Sequence, residues 1–244
     1  MLSKAKIKFI KSLQLKKYRK QEQCFVVQGA KSVQELLDSD FQVTLLVATR
    51  AFLNSATLSG NAEIITVTNN VLADLSEYQS NDAALAVART KPNDAFAVEP
   101  DEFALVLDEI RDPGNLGTII RTADWYGIRK IIASPETADL YNPKVISATM
   151  GSFIRTRLYY TELEGYLAGV QSPVLGAYLD GSNVHQHNFG KGGLLLIGNE
   201  SRGISAALEK YVTQKITIPR YGEAESLNAA IATGIICDNI RRNG

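Results

Sequence analysis

Gly193-Leu194-Leu195-Leu196-Ile197-Gly198-Asn199-Glu200-Ser201-Arg202-Gly203-Ile204-Ser205 holds the most strongly apolar strand of the chain and the turn that follows it. Its apolar run shows no alternation, which marks a strand covered on both faces, as in the middle of a parallel sheet. The strand ends in a turn with a glycine at each side and a carboxylate between them. Glycine at the end of a parallel strand lets a ligand come close to the backbone.

A second fully apolar strand, Phe103-Ala104-Leu105-Val106-Leu107-Asp108, has the same character. It is followed by Asp112-Pro113-Gly114-Asn115, where the Pro-Gly pair turns the chain and Asn115 is placed to cap a helix that ends at Gly127. Ile119, Ile120 and Ala123 give that helix a core face. Arg121 lies more than one and a half turns beyond Asn115, so the two do not stack, although a loop residue and a long arginine can still converge on one pocket. Arg121 alone is equally a surface residue of an amphipathic helix.

The tail has a third polar loop at a strand end. A short strand over 216–218 leads through Pro219-Arg220-Tyr221-Gly222-Glu223-Ala224-Glu225 into a helix over 229–237. The side chains of this helix are small or apolar almost all round, which predicts burial on several sides. Ser226 and Asn228 stand where the chain enters it. On these residues alone Ser226 reads equally as a helix cap and as part of a binding site. Further strands are expected over 130–133, 153–159 and 173–178, with helices over 141–150 and 162–168.

The first part of the chain alternates strands and helices over about 90 residues, enough for a core of its own. A helix over 2–20 carries Ile7, Ile10, Leu13 and Leu15 on an apolar stripe among lysines. Strands follow over 24–29, 41–48, 63–67 and 83–88, with helices over 30–37 and 70–76. Residues 91–101, rich in proline and charge, read as a linker, giving domains over 1–90 and 102–244.

The 244 residues carry a formal charge of zero, but unevenly: residues 1–97 have 12 Lys+Arg against 9 Asp+Glu. Lys4, Lys6, Lys8, Lys11, Lys16, Lys17, Arg19 and Lys20 precede the first acid, Glu22, and such an arm suits a phosphate backbone. No apolar run approaches the roughly 18 residues of a membrane span, and the lysine-studded start lacks a signal-peptide core, so no membrane partner and a cytoplasmic location are expected. Cys24 and Cys237 read as buried reduced thiols. His185 and His187 offer two ligands where a metal site needs three or four, so no metal is expected.

Neither a dinucleotide fingerprint nor a P-loop is present, and no Gly-x-Ser-x-Gly elbow appears. A site of Asn, Arg, Glu, Ser and backbone amides instead suits holding a polar substrate beside a cofactor that brings its own reactive group.

Three stretches in order resemble the motifs of the SpoU-type (TrmH-like) members of the SPOUT class of RNA 2′-O-ribose methyltransferases: Asn115 to Arg121, Ile197 to Ser205, and Ile218-Pro219 through Ser226-Leu227-Asn228-Ala229-Ala230. The first part resembles the ribosomal-protein-like substrate-binding domain that many of them carry. The resemblance implies an α/β fold: a parallel-sheet SPOUT domain with a C-terminal trefoil knot, preceded by a smaller α/β RNA-binding domain. It implies S-adenosylmethionine held in the knot by Gly198, Asn199, Ile218, Pro219 and Leu227, a homodimer, and catalytic residues Asn115, Arg121, Glu200, Ser226 and Asn228. Ribosomal RNA is favoured over tRNA as substrate. Ala229-Ala230-Ile231-Ala232 replaces the family's more usual Val-Ser-Val-Ala and keeps the packing small. Since a guanidinium keeps its proton, Arg121 is expected to bind an RNA phosphate and steady the forming alkoxide, with Glu200 as the competing base. Methylation of tRNA, and RNA binding by a decayed, non-catalytic enzyme domain, are the alternatives.

Overall fold

The computed structural model describes residues 2–58, 60–75, 81 and 83–243. The chain forms two compact units: Met1–Pro92 with Tyr141–Ile154, and Asn93–Leu140 with Arg155–Gly244.

The first unit contains α1 (Lys4–Ser12), α2 (Lys16–Glu22), β1 (Cys24–Gln28), α3 (Ala30–Leu37), β2 (Val43–Ala48), α4 (Arg50–Ser55), β3 (Glu63–Thr66), α5 (Asn69–Leu75) and β4 (Ala84–Arg89). Its sheet runs β1-β4-β2-β3, antiparallel except for the β2–β3 pair. Alternation along β1 sends Cys24 and Val26 into one core with Ile10, Leu13, Leu45, Val47, Leu85 and Val87. Phe25 points the other way, to the rings of Phe41, Tyr141 and Phe153 at centroid distances of 5.6, 4.6 and 5.9 Å. The helix expected over 70–76 ends with Ser76 outside the described residues.

The single helix expected over 2–20 is two helices. The chain breaks at 13–15 because Arg19 turns inward, where its Nη1 donates to Leu13 O (2.9 Å) and Gln14 O (2.6 Å), carbonyls freed at the end of α1. Arg19 is only 3% exposed and so leaves the basic face to the lysines.

The second unit begins with β5 (Phe103–Leu107), α6 (Pro113–Trp125) and β6 (Lys130–Ala133). After α7 (Pro143–Thr149), which belongs to the first unit, come β7 (Arg157–Tyr160), α8 (Leu163–Ala168), β8 (Val174–Asn183), β9 (Gly193–Ile197), α9 (Ala206–Glu209), β10 (Gln214–Thr217) and α10 (Ala229–Asn243). The extended segment expected over 153–159 starts only at Arg157, because Ser152–Ile154 forms a 3-10 turn that places Phe153 in the aromatic cluster.

All six strands of this sheet are parallel, in the order β10-β8-β9-β5-β6-β7. The two apolar strands β5 and β9 lie side by side at its centre and are buried along their whole length. Ala104, Val106, Leu194 and Leu196 face one core with Leu163, Leu167 and Leu208; Leu105, Leu107 and Leu195 alternate to the other side. Sequence order reverses between β5 and β9, the place where open α/β sheets receive ligands at the carboxyl ends of their strands.

The last helix corrects the expectation of all-round burial. It packs on α6 and buries one face, Ala229, Ala230, Thr233, Ile236, Cys237 and Ile240, whereas Ile231 is 56% exposed. No helix among the described residues is long and apolar enough to cross a membrane.

Candidate active site

The loops that follow β5, β9 and β10 all belong to the second unit. After β5 the chain does not begin its helix at Asn115. Asp112 is the cap, its carboxylate accepting from Asn115 N at 2.8 Å, and Pro113 takes the first helical position, where a missing N–H costs nothing. The side chain of Asn115 is thereby released from the capping role expected of it.

After β9 the turn closes on itself: Asn199 N donates to Gly203 O (3.0 Å) and Gly203 N to Asn199 O (2.8 Å). This leaves no room at Gly198, where a Cβ would lie 2.2 Å from Gly203 C and 2.3 Å from Ile204 N. Asn199 anchors the turn to the neighbouring loop. Its Nδ2 donates to Glu109 O (2.9 Å), and its Oδ1 accepts from Ser201 N (3.0 Å) and Arg202 N (3.3 Å). Glu109, held at φ 55°, pairs with Arg202 and, at 3.0 Å, with Arg111. The buried carboxylate of Asp108 accepts from Ser205 N at 2.7 Å. Sequence reading passed over Asp108 and Glu109. Two acids directly after an apolar strand were the available signal.

After β10 the segment 218–228 is irregular, and none of its backbone N–H groups donates to the backbone of a described residue. The helix cap here is Asn228 rather than Ser226, since its Oδ1 accepts from Ala230 N (2.9 Å) and Ile231 N (3.3 Å). Asn228 Nδ2 also donates to Asn115 Oδ1 at 2.9 Å, and Asn115 Nδ2 donates to Glu200 Oε1 in a short hydrogen bond. One chain of side chains, Asn228 to Asn115 to Glu200, therefore joins all three loops.

Two of the expected catalytic residues stand outside that chain. Arg121 is exposed on α6 and makes no hydrogen bond or ion pair with a described residue, and Ser226 is exposed in the loop before α10. Gly198 and Asn199 lie in the β9 turn, and Ile218, Pro219 and Leu227 in the β10 loop. His185 Nδ1 meets Asn239 Oδ1 at 3.2 Å and the rings of His187 and Phe189 meet edge to face; no acid, His and Cys group able to hold a metal ion occurs among the described residues.

The profile of the SpoU rRNA Methylase family matches residues 102–238, the part of the chain that carries all three loops. The chain belongs to the SpoU rRNA methylase family. The profile of the MRM3-like substrate binding domain matches residues 4–86. The SpoU chain is 37% identical to a TrmH-family structure from Porphyromonas gingivalis, with TM-score 0.90 and complete coverage of both chains. It is 31% identical to the AdoMet-bound rRNA methyltransferase of Sinorhizobium meliloti, with TM-score 0.86 over 99% of this chain and 96% of that one. Over 97% of its length it is 28% identical to the 23S rRNA (guanosine(2553)-2'-O)-methyltransferase RlmP of Bacillus subtilis (strain 168), covering 96% of that protein.

Proposed function

We propose that this SpoU-family chain transfers the methyl group of S-adenosylmethionine to a ribose 2′-hydroxyl of ribosomal RNA. The observation that carries this reading is the Asn228–Asn115–Glu200 chain, which fixes the polar groups of three loops that follow β5, β9 and β10. The unused backbone amides of 218–228 and the half-exposed Leu227 fit the heteroatoms and rings of a nucleoside-containing cofactor. We read Gly198, Asn199, Ile218, Pro219 and Leu227 as the residues that hold it. When bound, it supplies an electrophilic methyl group.

The chain's own residues have two tasks: to bring the hydroxyl into line, and to manage the charge that develops as its proton leaves. Arg121, with no partner of its own among the described residues, is available to bind a phosphate of the RNA and to steady the forming oxyanion. Glu200 is the acceptor that can take the proton. Its orientation is set by Asn115, which Asn228 holds in turn, and Ser226 orients the ribose beside them.

Residues 1–90 serve as the RNA substrate-binding domain, 91–101 as a linker and 102–244 as the knotted methyltransferase domain, whose segment Tyr141–Ile154 groups with the first unit. The exposed apolar side chains Trp125, Tyr221 and Ile231 support a homodimer. The division of labour is tested by exchanging one group at a time. Arg121→Lys is expected to lose most activity while calorimetric affinity for S-adenosylmethionine is kept. If Arg121→Lys retained most of the turnover, the role given to the arginine would be wrong; if Glu200→Gln retained it, the role given to the glutamate would be.

A further inference from the structure

The first unit contains a cavity of about 170 Å³, lined by no residue of the candidate active site. Val26, Pro143 and Ile146 give it apolar walls, and Gln28, Ser32 and Ser147 a polar edge. The hydroxyls of Ser32 and Ser147 have no hydrogen-bond partner among the described residues. Gly29, at φ 89°, opens the floor: nothing lies within 4 Å of where its Cβ would stand, so the backbone itself is approachable.

Among the described residues no charged side chain lines this cavity, so its described lining offers no counter-charge to a phosphate, a carboxylate or a metal ion. Apolar walls with neutral donors and acceptors along one edge match a nucleobase, which presents apolar faces and a hydrogen-bonding rim. We propose that this cavity receives one nucleobase splayed out of the substrate RNA, so that the first unit recognises an unpaired nucleotide rather than only a phosphate backbone. The proposal rests on the reading of the chain as an RNA methyltransferase. It adds to that reading a base-binding site in the first unit, lined by none of the residues of the methyl-transfer loops.

The test fills the cavity from its rim in the full-length chain. Ser147 is exposed, so Ser147→Phe can be accommodated without disturbing the core, and Ser32→Phe provides a second route. Excluding the base from its pocket should raise KM for ribosomal RNA roughly tenfold in each filled variant, with kcat and S-adenosylmethionine affinity unchanged. Ser147→Ala, which leaves the space open, should raise KM by less than threefold. Wild-type KM in both filled variants, with unchanged melting temperatures, would overturn the base-binding site and leave the methyltransferase reading intact. Absence of methyl transfer by the unaltered protein would instead remove the functional reading, and this proposal with it.

Discussion

Asn115 is the residue on which the site turns, because its amide is spent in both directions: the Nδ2 on Glu200 and the Oδ1 on Asn228. Asn115→Asp keeps the shape but replaces the donor with an oxygen facing a carboxylate. Loss of one preorganised donor costs catalysis about a hundredfold or more. kcat/KM should fall by about that factor, with little change in melting temperature; unchanged kinetics would show that the chain of amides has no part in the reaction. Sequence placed Asn115, Glu200 and Asn228 in polar loops at strand ends but misread who caps which helix. Pro113 was the overlooked clue, since a proline at the first helical position moves the cap to Asp112. At the last helix the choice between Ser226 and Asn228 depended on where the helix begins, which two adjacent polar residues do not decide. Arg121 was legible as a motif residue, yet its lack of a partner is a property of the fold alone.

At the scale of elements, the periodic apolar stripe of residues 2–20 continues across a break that sequence does not show. Arg19, which looks like one more cation in a basic arm, is the residue that makes the break possible by satisfying two carbonyls at the end of α1. Arg19→Leu should therefore cost about 2 kcal/mol in denaturant unfolding of the full chain, far above the effect of neutralising exposed Lys17. An equal and small effect of the two changes would contradict the buried cap. The last helix offers a second check. Cys237 is fully buried against α6's side of the molecule, and burial pushes its thiol up to about 12; burial also raises Cys24. Because only the thiolate attacks, neither thiol should react with a disulfide reagent at pH 8 in the folded chain, and both should react in denaturant. Rapid labelling of native Cys237 would mean that α10 is not packed as described.

For the whole molecule, the parallel sheet was readable because β5 and β9 are apolar without alternation, and the mixed sheet of the first unit was readable as strands though not as an order. The grouping of Tyr141–Ile154 with the first unit was not readable: it depends on Phe153 meeting Phe25 and Phe41, contacts more than a hundred residues apart in sequence. Nor could any local pattern announce that the reversal of strand order falls between β5 and β9, which is what gathers three distant loops into one site. Ribose methylation at this site is what the three loops are assembled to perform. The most direct measurement is to incubate the chain with ribosomal RNA and methyl-labelled S-adenosylmethionine, then digest the RNA to nucleosides. The label should appear in a 2′-O-methylated nucleoside and disappear with Arg121→Ala while cofactor binding persists; label on a base, or transfer unchanged by Arg121→Ala, would contradict it.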